Sequence, residues 1–297
     1  MSILLSAKQE KLRYAKRPGH TFAQATTPQP PTPGEYGNAE AYERYMGRWS
    51  TLLARRFLDF VEIGKAQRVL DIGSGTGSLT SVIAASTKAS RIVGIDPVPQ
   101  FVQWAQQRLG DPRVTFECGD ARELPFPDSD FDASLSLLSF HHIPDGRDAT
   151  YEMLRVTRAG GIVAACDWDC SWDSGPGMEM FRVLHETLQT VYPQSKSQHS
   201  FPRQYGGRGE LLGIWKACGI RDAEEIHLTV PLRFTDFDDF WIRFIEGPSS
   251  VVSFLSALSP SVKNHFQLEL RRALLGDRPN GPIELLARAW AVRGRVP

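Results

Sequence analysis

Apolar and polar residues follow two alternating patterns through the middle of the chain. Short apolar runs, which predict buried strands, are each followed by a stretch with apolar residues three and four positions apart, which predicts a helix. Alternation of this kind favours a parallel sheet covered by helices on both faces. The expected strands lie near 68–72, 91–95, 114–118, 131–138 and 161–167, and the expected helices near 78–86, 99–109 and 148–157.

The chain before the first strand divides into two parts. Residues 1–39 have a basic stretch from Lys8 to Arg17 and four closely spaced prolines, so we expect a flexible tail without regular structure. From Glu40 onward the pattern predicts an amphipathic helix. Its apolar positions recur at intervals of three and four residues and are Tyr42, Tyr45, Met46, Trp49, Leu52, Leu53 and Phe57.

The chain after Asp167 predicts a less regular succession of elements. A loop rich in acids and tryptophan comes first and contains Trp168, Asp169, Trp172 and Asp173. The elements expected after it are helices near 178–192 and 210–218, a strand near 224–230, helices near 236–246, 249–258 and 260–275, and a last strand near 283–292. We therefore expect a core of residues 40–235 and 281–297, with residues 236–280 as a helical insertion before the last strand.

The segment with the clearest chemistry runs from Val69 to Thr80. An apolar strand ends at Asp71, glycines follow at alternate positions, and a helix pattern begins. Glycine lets the backbone approach a bound cofactor closely and take positive φ angles. The spacing differs from the dinucleotide-binding pattern, because Ser78 occupies the place of its third glycine. Asp71 would also repel a pyrophosphate, so the segment suits a cofactor that carries positive charge.

Acidic residues also end the next two strands. Asp96 follows the second apolar run and Asp120 follows the third. A carboxylate in the position of Asp96 can accept hydrogen bonds from a ribose diol. Because a nicotinamide dinucleotide and other nucleoside cofactors all place a ribose there, Asp96 supports the fold without choosing the cofactor.

These motifs together resemble the class I S-adenosylmethionine-dependent methyltransferases, and in particular bacterial small-molecule enzymes of methyltransferase types 11 and 25. The resemblance rests on the Asp71–Gly77 run, on Asp96 and Asp120, and on the segments after the fourth and fifth strands. It covers roughly Glu40 to Asp167 well. It implies a doubly wound, mostly parallel seven-stranded sheet of Rossmann-like type. It also implies that the helices inserted before the last strand form a cap over the substrate pocket.

The resemblance further implies roles for individual residues. Gly73 and Gly75 would face the amino-acid end of S-adenosylmethionine, Asp96 its ribose, and Asp120 with Ala121 its adenine. Arg48 would pair with the cofactor carboxylate, with a solvated surface charge as the alternative. The expected cofactor-binding residues are Tyr42, Arg48, Asp71, Gly73, Gly75, Asp96, Pro97, Asp120, Ala121 and Leu137.

The candidate catalytic residues follow the fourth and fifth strands. His141 and His142 come after the fourth strand, and Asp167 ends the fifth. Imidazole titrates near neutral pH, so a histidine there could remove a proton from an acceptor hydroxyl. The alternative is a structural role, such as capping the next helix. We expect no metal site, because adjacent histidines diverge and no third ligand is evident.

The chain is therefore expected to transfer a methyl group from S-adenosylmethionine to a small molecule by in-line displacement. The alternatives are a nicotinamide-dependent oxidoreductase and a non-catalytic S-adenosylmethionine-binding module. Lys plus Arg equals Asp plus Glu at 34 each, so no nucleic acid or anionic membrane is expected as a partner. No apolar run reaches membrane-spanning length, and four cysteines without a zinc spacing favour reduced thiols in the cytoplasm.

Overall fold

The computed structural model describes residues 39–171, 177–193, 205–246 and 258–297. Three sequence predictions lie outside these residues. They concern the N-terminal tail, Trp172 with Asp173, and most of the helix expected near 249–258.

A seven-stranded sheet forms the centre of the fold, with strand order β3-β2-β1-β4-β5-β7-β6. β1 to β5 pair in parallel, and β7 runs antiparallel to both of its neighbours. The strand order reverses between β1 and β4, which is where ligands bind in open α/β sheets. The strands are β1 (Arg68–Ile72), β2 (Arg91–Asp96), β3 (Val114–Cys118), β4 (Phe131–Leu137), β5 (Thr157–Trp168), β6 (Arg221–Phe234) and β7 (Ile283–Arg295).

Helices cover both faces of the sheet. The N-terminal helix is interrupted, because α1 (Ala39–Tyr42) is joined to α2 (Arg48–Val61) by a π-helical turn, Glu43–Gly47. A short 3₁₀ turn, Phe140–His142, follows β4. The remaining helices are α3 (Ser78–Ser86), α4 (Pro99–Arg108), α5 (Gly146–Val156), α6 (Glu179–Val191), α7 (Glu210–Ala217), α8 (Phe237–Glu246) and α9 (Pro260–Leu275).

Two apolar layers hold the helices on the sheet. One layer includes Trp49 and Phe57 of α2, together with side chains from α3, α6, α8 and α9. The other layer, on the opposite face, includes Phe140 and Trp215 together with residues of α5 and α7. β1, β2 and β4 are almost completely buried between these layers, which is why their sequences are near-continuous apolar runs.

The structure confirms the expected fold class, a doubly wound and mostly parallel seven-stranded sheet, and places α8 and α9 between the last two strands. The two C-terminal strands extend beyond the predicted 224–230 and 283–292. In the ladder between β6 and β7, the paired residues of β6 run from Arg221 to Phe234. Many of these positions are polar, so a search for apolar runs underestimates the length of the strand. β5 begins at Thr157 rather than near 161. No helix among the described residues combines the length and apolarity needed to span a bilayer.

Candidate functional site

A cavity of about 300 Å³ opens at the carboxyl ends of the central strands. Its floor is the glycine turn between β1 and α3, and its sides come from the segments after β2, β3 and β4. Most residues selected from the sequence line this one cavity. They are Tyr42, Asp71, Gly73, Gly75, Asp96, Pro97, Asp120, Ala121, Leu137 and His142.

The glycine turn has the backbone geometry that only glycine adopts easily. Gly73 has a φ of 69° and Gly75 a φ of 52°. A Cβ on Gly73 would lie 2.3 Å from Oγ of Ser139, so a side chain has no room there. A Cβ on Gly75 would meet no atom within 4 Å. Gly73 is therefore required by the fold, whereas the open space beside Gly75 belongs to the cavity.

Asp71 is a buried carboxylate on the cavity wall, with a side chain that is only 1% exposed. Its Oδ2 accepts a hydrogen bond from Oγ1 of Thr80 at 2.6 Å. Its Oδ1 is buried and has no hydrogen-bond partner among the described residues. Burial raises the pKa of Asp71 from 3.8 to about 7, although the bond from Thr80 opposes the shift. A buried carboxylate with one oxygen that lacks a hydrogen-bond partner suits a positively charged ligand.

Asp96 is fixed by two backbone amides. Gly75 N donates to Oδ2 at 2.8 Å and Val98 N donates to Oδ1 at 2.9 Å. Burial nevertheless raises its pKa, because desolvation outweighs these two bonds. Each carboxylate oxygen retains acceptor capacity beyond the one bond it makes here. The side chain thus joins the glycine turn to the end of β2 and can still accept bonds from a diol.

Asp120 forms an ion pair that the sequence analysis missed. Arg122 donates to both of its oxygens, with Nη2 at 2.5 Å from Oδ2. The Arg122 guanidinium lowers the pKa of Asp120, so this carboxylate stays ionised. Arg122 also lines the cavity beside Ala121. The only sequence signal for this pair is a basic residue two positions after the acid.

His141 and Asp167 come together although 26 residues separate them. Nδ1 of His141 lies 2.6 Å from Oδ1 of Asp167, and both side chains are at most 5% exposed. The ring of His141 lies against that of His142, with centroids 3.8 Å apart. His142 lines the cavity, while His141 and Asp167 lie behind it. The three candidate catalytic residues therefore form one contiguous group.

Arg48 does not reach the cavity. Its guanidinium donates to the carbonyl oxygen of Arg233 at 2.5 Å and lies 3.6 Å from the carboxylate of Asp239. It also lies over the rings of Trp49 and Phe234, and burial lowers its pKa. These contacts hold Arg48 between β6 and α8. Its position thus gives no support to the predicted pairing with a cofactor carboxylate.

Part of the acidic segment at the end of β5 stabilises the fold. Asp169 is completely buried and pairs with Arg288 of β7, with Nη2 at 2.5 Å from Oδ2. Trp168 is also buried, in the apolar layer that includes α2. Neither residue lines the cavity. Among the described residues, no group of histidine, cysteine and acidic side chains could hold a metal ion.

Comparison with known proteins adds a family relationship to this geometry. A family profile described as methyltransferase domain matches residues 70–165. An uncharacterized protein of Mycobacterium tuberculosis is 31% identical over 135 residues, which are 45% of this chain and 48% of that protein. The chain thus spans about half the length of the first curated relatives it matches.

A second relative is matched over more of its length. It is the ubiquinone/menaquinone biosynthesis C-methyltransferase of Geobacter sp. (strain M21), 30% identical over 200 residues that cover 61% of this chain and 80% of that enzyme. Among solved structures, phosphoethanolamine N-methyltransferase 2 of Haemonchus contortus, in complex with S-adenosyl-L-methionine, superposes with a TM-score of 0.53 at 21% identity. That alignment covers 90% of this chain and 59% of the other, and it shows a shared fold.

Proposed function

The chain belongs to the class I S-adenosylmethionine-dependent methyltransferases, and from that premise we propose that it methylates a small molecule with S-adenosylmethionine as donor. The observation that carries the proposal is Asp71, a buried residue of the cavity wall whose Oδ1 has no hydrogen-bond partner among the described residues. A cationic cofactor would supply the partner that this oxygen lacks. The Geobacter relative is named for quinone biosynthesis, which supports a small-molecule acceptor.

The residues around the cavity fit the parts of this cofactor. Asp71 and the glycine turn would hold its amino-acid end, and Asp96 would accept bonds from the ribose. Asp120 and Ala121 would recognise the adenine, with Pro97 as an apolar wall. The bound cofactor supplies an electrophilic methyl group on sulfur. The protein then has to orient the acceptor in line with that group and exclude water.

We assign proton removal from a hydroxyl acceptor to the contiguous group of His141, His142 and Asp167, in which His142 lines the cavity. Asp167 accepts a hydrogen bond from Nδ1–H of His141, which leaves Nε2 as the basic nitrogen of the ring. The carboxylate also stabilises the imidazolium that forms when the acceptor proton is taken. His142, between this pair and the cavity, would contact the acceptor. An acceptor that is already ionised would need no such base.

The helical insertion, residues 236–280, is proposed to close the acceptor side of the cavity. α8 is tied to the N-terminal helix, since Arg243 donates to the carbonyl oxygen of Arg44. Asp239 of α8 also lies beside Arg48. Tyr42 of the N-terminal helix lines the cavity. Contacts between α8 and this helix can therefore influence the rim of the cavity. A cytoplasmic location is proposed as well, supported by four free cysteines.

The two alternative functions have less support. A nicotinamide-dependent oxidoreductase would not place a buried acid with an open oxygen beside the glycine turn, where a pyrophosphate must bind. A non-catalytic module would bind the cofactor without turnover, so activity has to be measured beside affinity.

The first experiment is calorimetric titration of S-adenosylhomocysteine into the purified protein. We expect micromolar binding by the wild type and at least about tenfold weaker binding by Asp96→Asn, which loses a charged acceptor for the ribose. Asp59→Asn, which alters an exposed acid of α2 distant in sequence from the site, is the matched control and should bind like the wild type. Folded wild-type protein that binds no S-adenosylhomocysteine would refute the proposal. Binding without methylation of any acceptor would favour the non-catalytic module.

A further inference from the structure

The N-terminal helix carries an irregular turn at the rim of the cavity. The π-helical turn Glu43–Gly47 separates α1 from α2. Tyr42 directly before it and Ser50 shortly after it both line the cavity. π-turns inside helices are rare and occur frequently at functional sites. The position of the turn therefore points to a role at the rim of the cavity.

Glu43, the first residue of the turn, is bonded to the glycine turn. Oγ1 of Thr76 donates to Oε2 of Glu43 at 2.8 Å. Thr76 lies between Gly75 and Gly77 and lines the cavity. One hydrogen bond thus connects the N-terminal helix with the loop that would hold the amino-acid end of the cofactor.

Gly47, the last residue of the turn, makes room for this bond. A Cβ on Gly47 would lie 2.3 Å from both Cδ and Oε1 of Glu43. Its φ of −54° and ψ of −43° are ordinary helical values that any residue adopts. Backbone freedom therefore does not explain the glycine. The space it leaves is occupied by the Glu43 carboxylate.

The helix is also held by contacts that do not involve Glu43. Arg243 of α8 donates to the carbonyl oxygen of Arg44, and Arg48 donates to that of Arg233. Tyr45 and Met46 are buried in the apolar layer beneath the turn. Loss of the Glu43 bond should therefore leave the helix folded and alter only its position over the cavity.

We propose that Glu43 is a positioning residue that holds Tyr42 and the π-turn over bound S-adenosylmethionine through its hydrogen bond with Thr76. Gly47 serves the same purpose by leaving space for the carboxylate. The inference rests on the proposed function, and it assigns Glu43 no contact with the cofactor. The contact runs through Tyr42, whose ring packs against Phe101 of the cavity wall with centroids 5.3 Å apart.

The test is the affinity for S-adenosylhomocysteine in a set of matched variants. Glu43→Ala should bind about tenfold more weakly, the loss expected for one hydrogen bond to a charged group. Glu43→Gln keeps an acceptor oxygen and should bind within about threefold of the wild type, since a neutral bond is weaker. Glu40→Ala removes an exposed acid of the same helix that pairs with Arg44, and it should bind like the wild type.

Gly47→Ala provides the sharper test. Its methyl group would displace the Glu43 carboxylate, so binding should weaken as in Glu43→Ala. Its thermal stability should not fall, because alanine is the better helix former. In the Glu43→Ala background, Gly47→Ala should cause no further loss of affinity, because the two changes remove one interaction. A purely structural glycine would not give this non-additivity.

A ligand-free measurement completes the test. Hydrogen exchange at the Tyr42–Met46 amides should be faster in Glu43→Ala than in the wild type, while exchange in β1 stays unchanged. If the wild type binds and Glu43→Ala binds equally well, the inference is wrong and the proposed function stands. If Gly47→Ala weakens binding equally with and without Glu43, the inference is also wrong. If the wild type itself binds no S-adenosylhomocysteine, both the inference and the proposed function are wrong.

Discussion

Nδ1 of His141 and Oδ1 of Asp167 lie 2.6 Å apart, at the ends of two neighbouring parallel strands. Leu137 of β4 is paired with Cys166 of β5, so the residues that follow each strand emerge side by side. A short hydrogen bond to a buried carboxylate fixes both the orientation and the tautomer of the imidazole. In the proposed function, Asp167 would orient the ring of His141 within the group that removes the acceptor proton.

The first prediction concerns Asp167→Asn. A carboxamide can hold the ring but cannot stabilise the imidazolium, so kcat with a hydroxyl acceptor should fall about 100-fold or more. The affinity for S-adenosylhomocysteine should stay within about twofold, since Asp167 does not line the cavity. The measurement is the pH dependence of kcat. In the wild type kcat should rise with pH as the base loses its proton, and in Asp167→Asn this rise should disappear.

His227→Gln is the control for this prediction. His227 is an exposed histidine of β6, and its removal should leave kcat and its pH profile unchanged. If Asp167→Asn lowers thermal stability but leaves kcat and its pH profile intact, the pair is structural and serves to hold the 3₁₀ turn.

The second prediction is a pH dependence of cofactor affinity governed by Asp71. Burial raises its pKa to about 7, so the ligand-free carboxyl is largely protonated at pH 6 and ionised at pH 8. A cationic ligand binds the ionised form, so affinity should rise about tenfold between pH 6 and pH 8. Titration of S-adenosylmethionine at several pH values measures this rise. The same titration of Asp71→Asn should give weak binding with a much flatter pH profile. A wild-type affinity that is equal at pH 6 and pH 8 would contradict this assignment.

The third prediction follows from the same pKa in the ligand-free protein. Because the folded pKa lies above the unfolded value, the folded state binds more protons between about pH 4 and pH 7. Stability from this group is fully present below pH 4 and is lost as the pH rises through 7. Asp71→Asn should therefore raise the free energy of unfolding at pH 8 by roughly 4 kcal/mol, and hardly at all at pH 4. Urea unfolding at both pH values checks this, and an equal effect at the two would be inconsistent with a raised pKa.

Much of the fold and of the cofactor cavity was accessible from the sequence because the signals are local. Apolar runs give strands, and the glycine turn with Asp71 directly precedes the helix that it begins. The acids Asp96 and Asp120 end their strands, and parallel strands bring their carboxyl ends to one edge. Adjacent positions in the chain therefore predict the cavity wall.

The features of the site that the sequence does not predict depend on contacts between distant positions or on a break in helical periodicity. The bonds of Glu43 with Thr76 and of His141 with Asp167 join segments 33 and 26 residues apart, and no local pattern encodes them. The resemblance places Arg48 beside the cofactor on a regular helix, which turns by a constant angle per residue. The π-turn before Arg48 changes that rotation, so the sequence could not show which way its guanidinium faces.

The fourth prediction contrasts two glycines of the same turn. Gly73→Ala combines a positive φ with a contact of 2.3 Å to Ser139, so it should destabilise the protein and abolish cofactor binding. Gly75→Ala meets no protein atom and should cost only the left-handed conformation, about 1–2 kcal/mol. Its methyl group would enter the cavity, so binding should be lost while the fold persists. Thermal melts and calorimetry of both variants separate the two effects, and normal binding by Gly75→Ala would exclude a cofactor beside that residue.

The fifth prediction concerns the buried pair of Asp169 and Arg288, which joins the end of β5 to β7. Asp169 is fully buried, and Arg288 donates to its Oδ2 through Nε at 2.6 Å. Within the part of the chain that the structure describes, Arg288→Met would leave the carboxylate with bonds from Ser171 alone, and it should lower the free energy of unfolding by about 3–5 kcal/mol.

The double variant Arg288→Met/Asp169→Asn should recover part of this loss, because no buried charge is left without a counter-ion. Urea unfolding at pH 7 measures all three proteins. A single variant that loses less than about 1 kcal/mol would mean that water reaches Asp169 and that the pair contributes as little as a surface ion pair. Since Asp169 lies two residues after Asp167, a large loss would also show that the end of β5, and with it the position of the His141 partner, depends on Arg288.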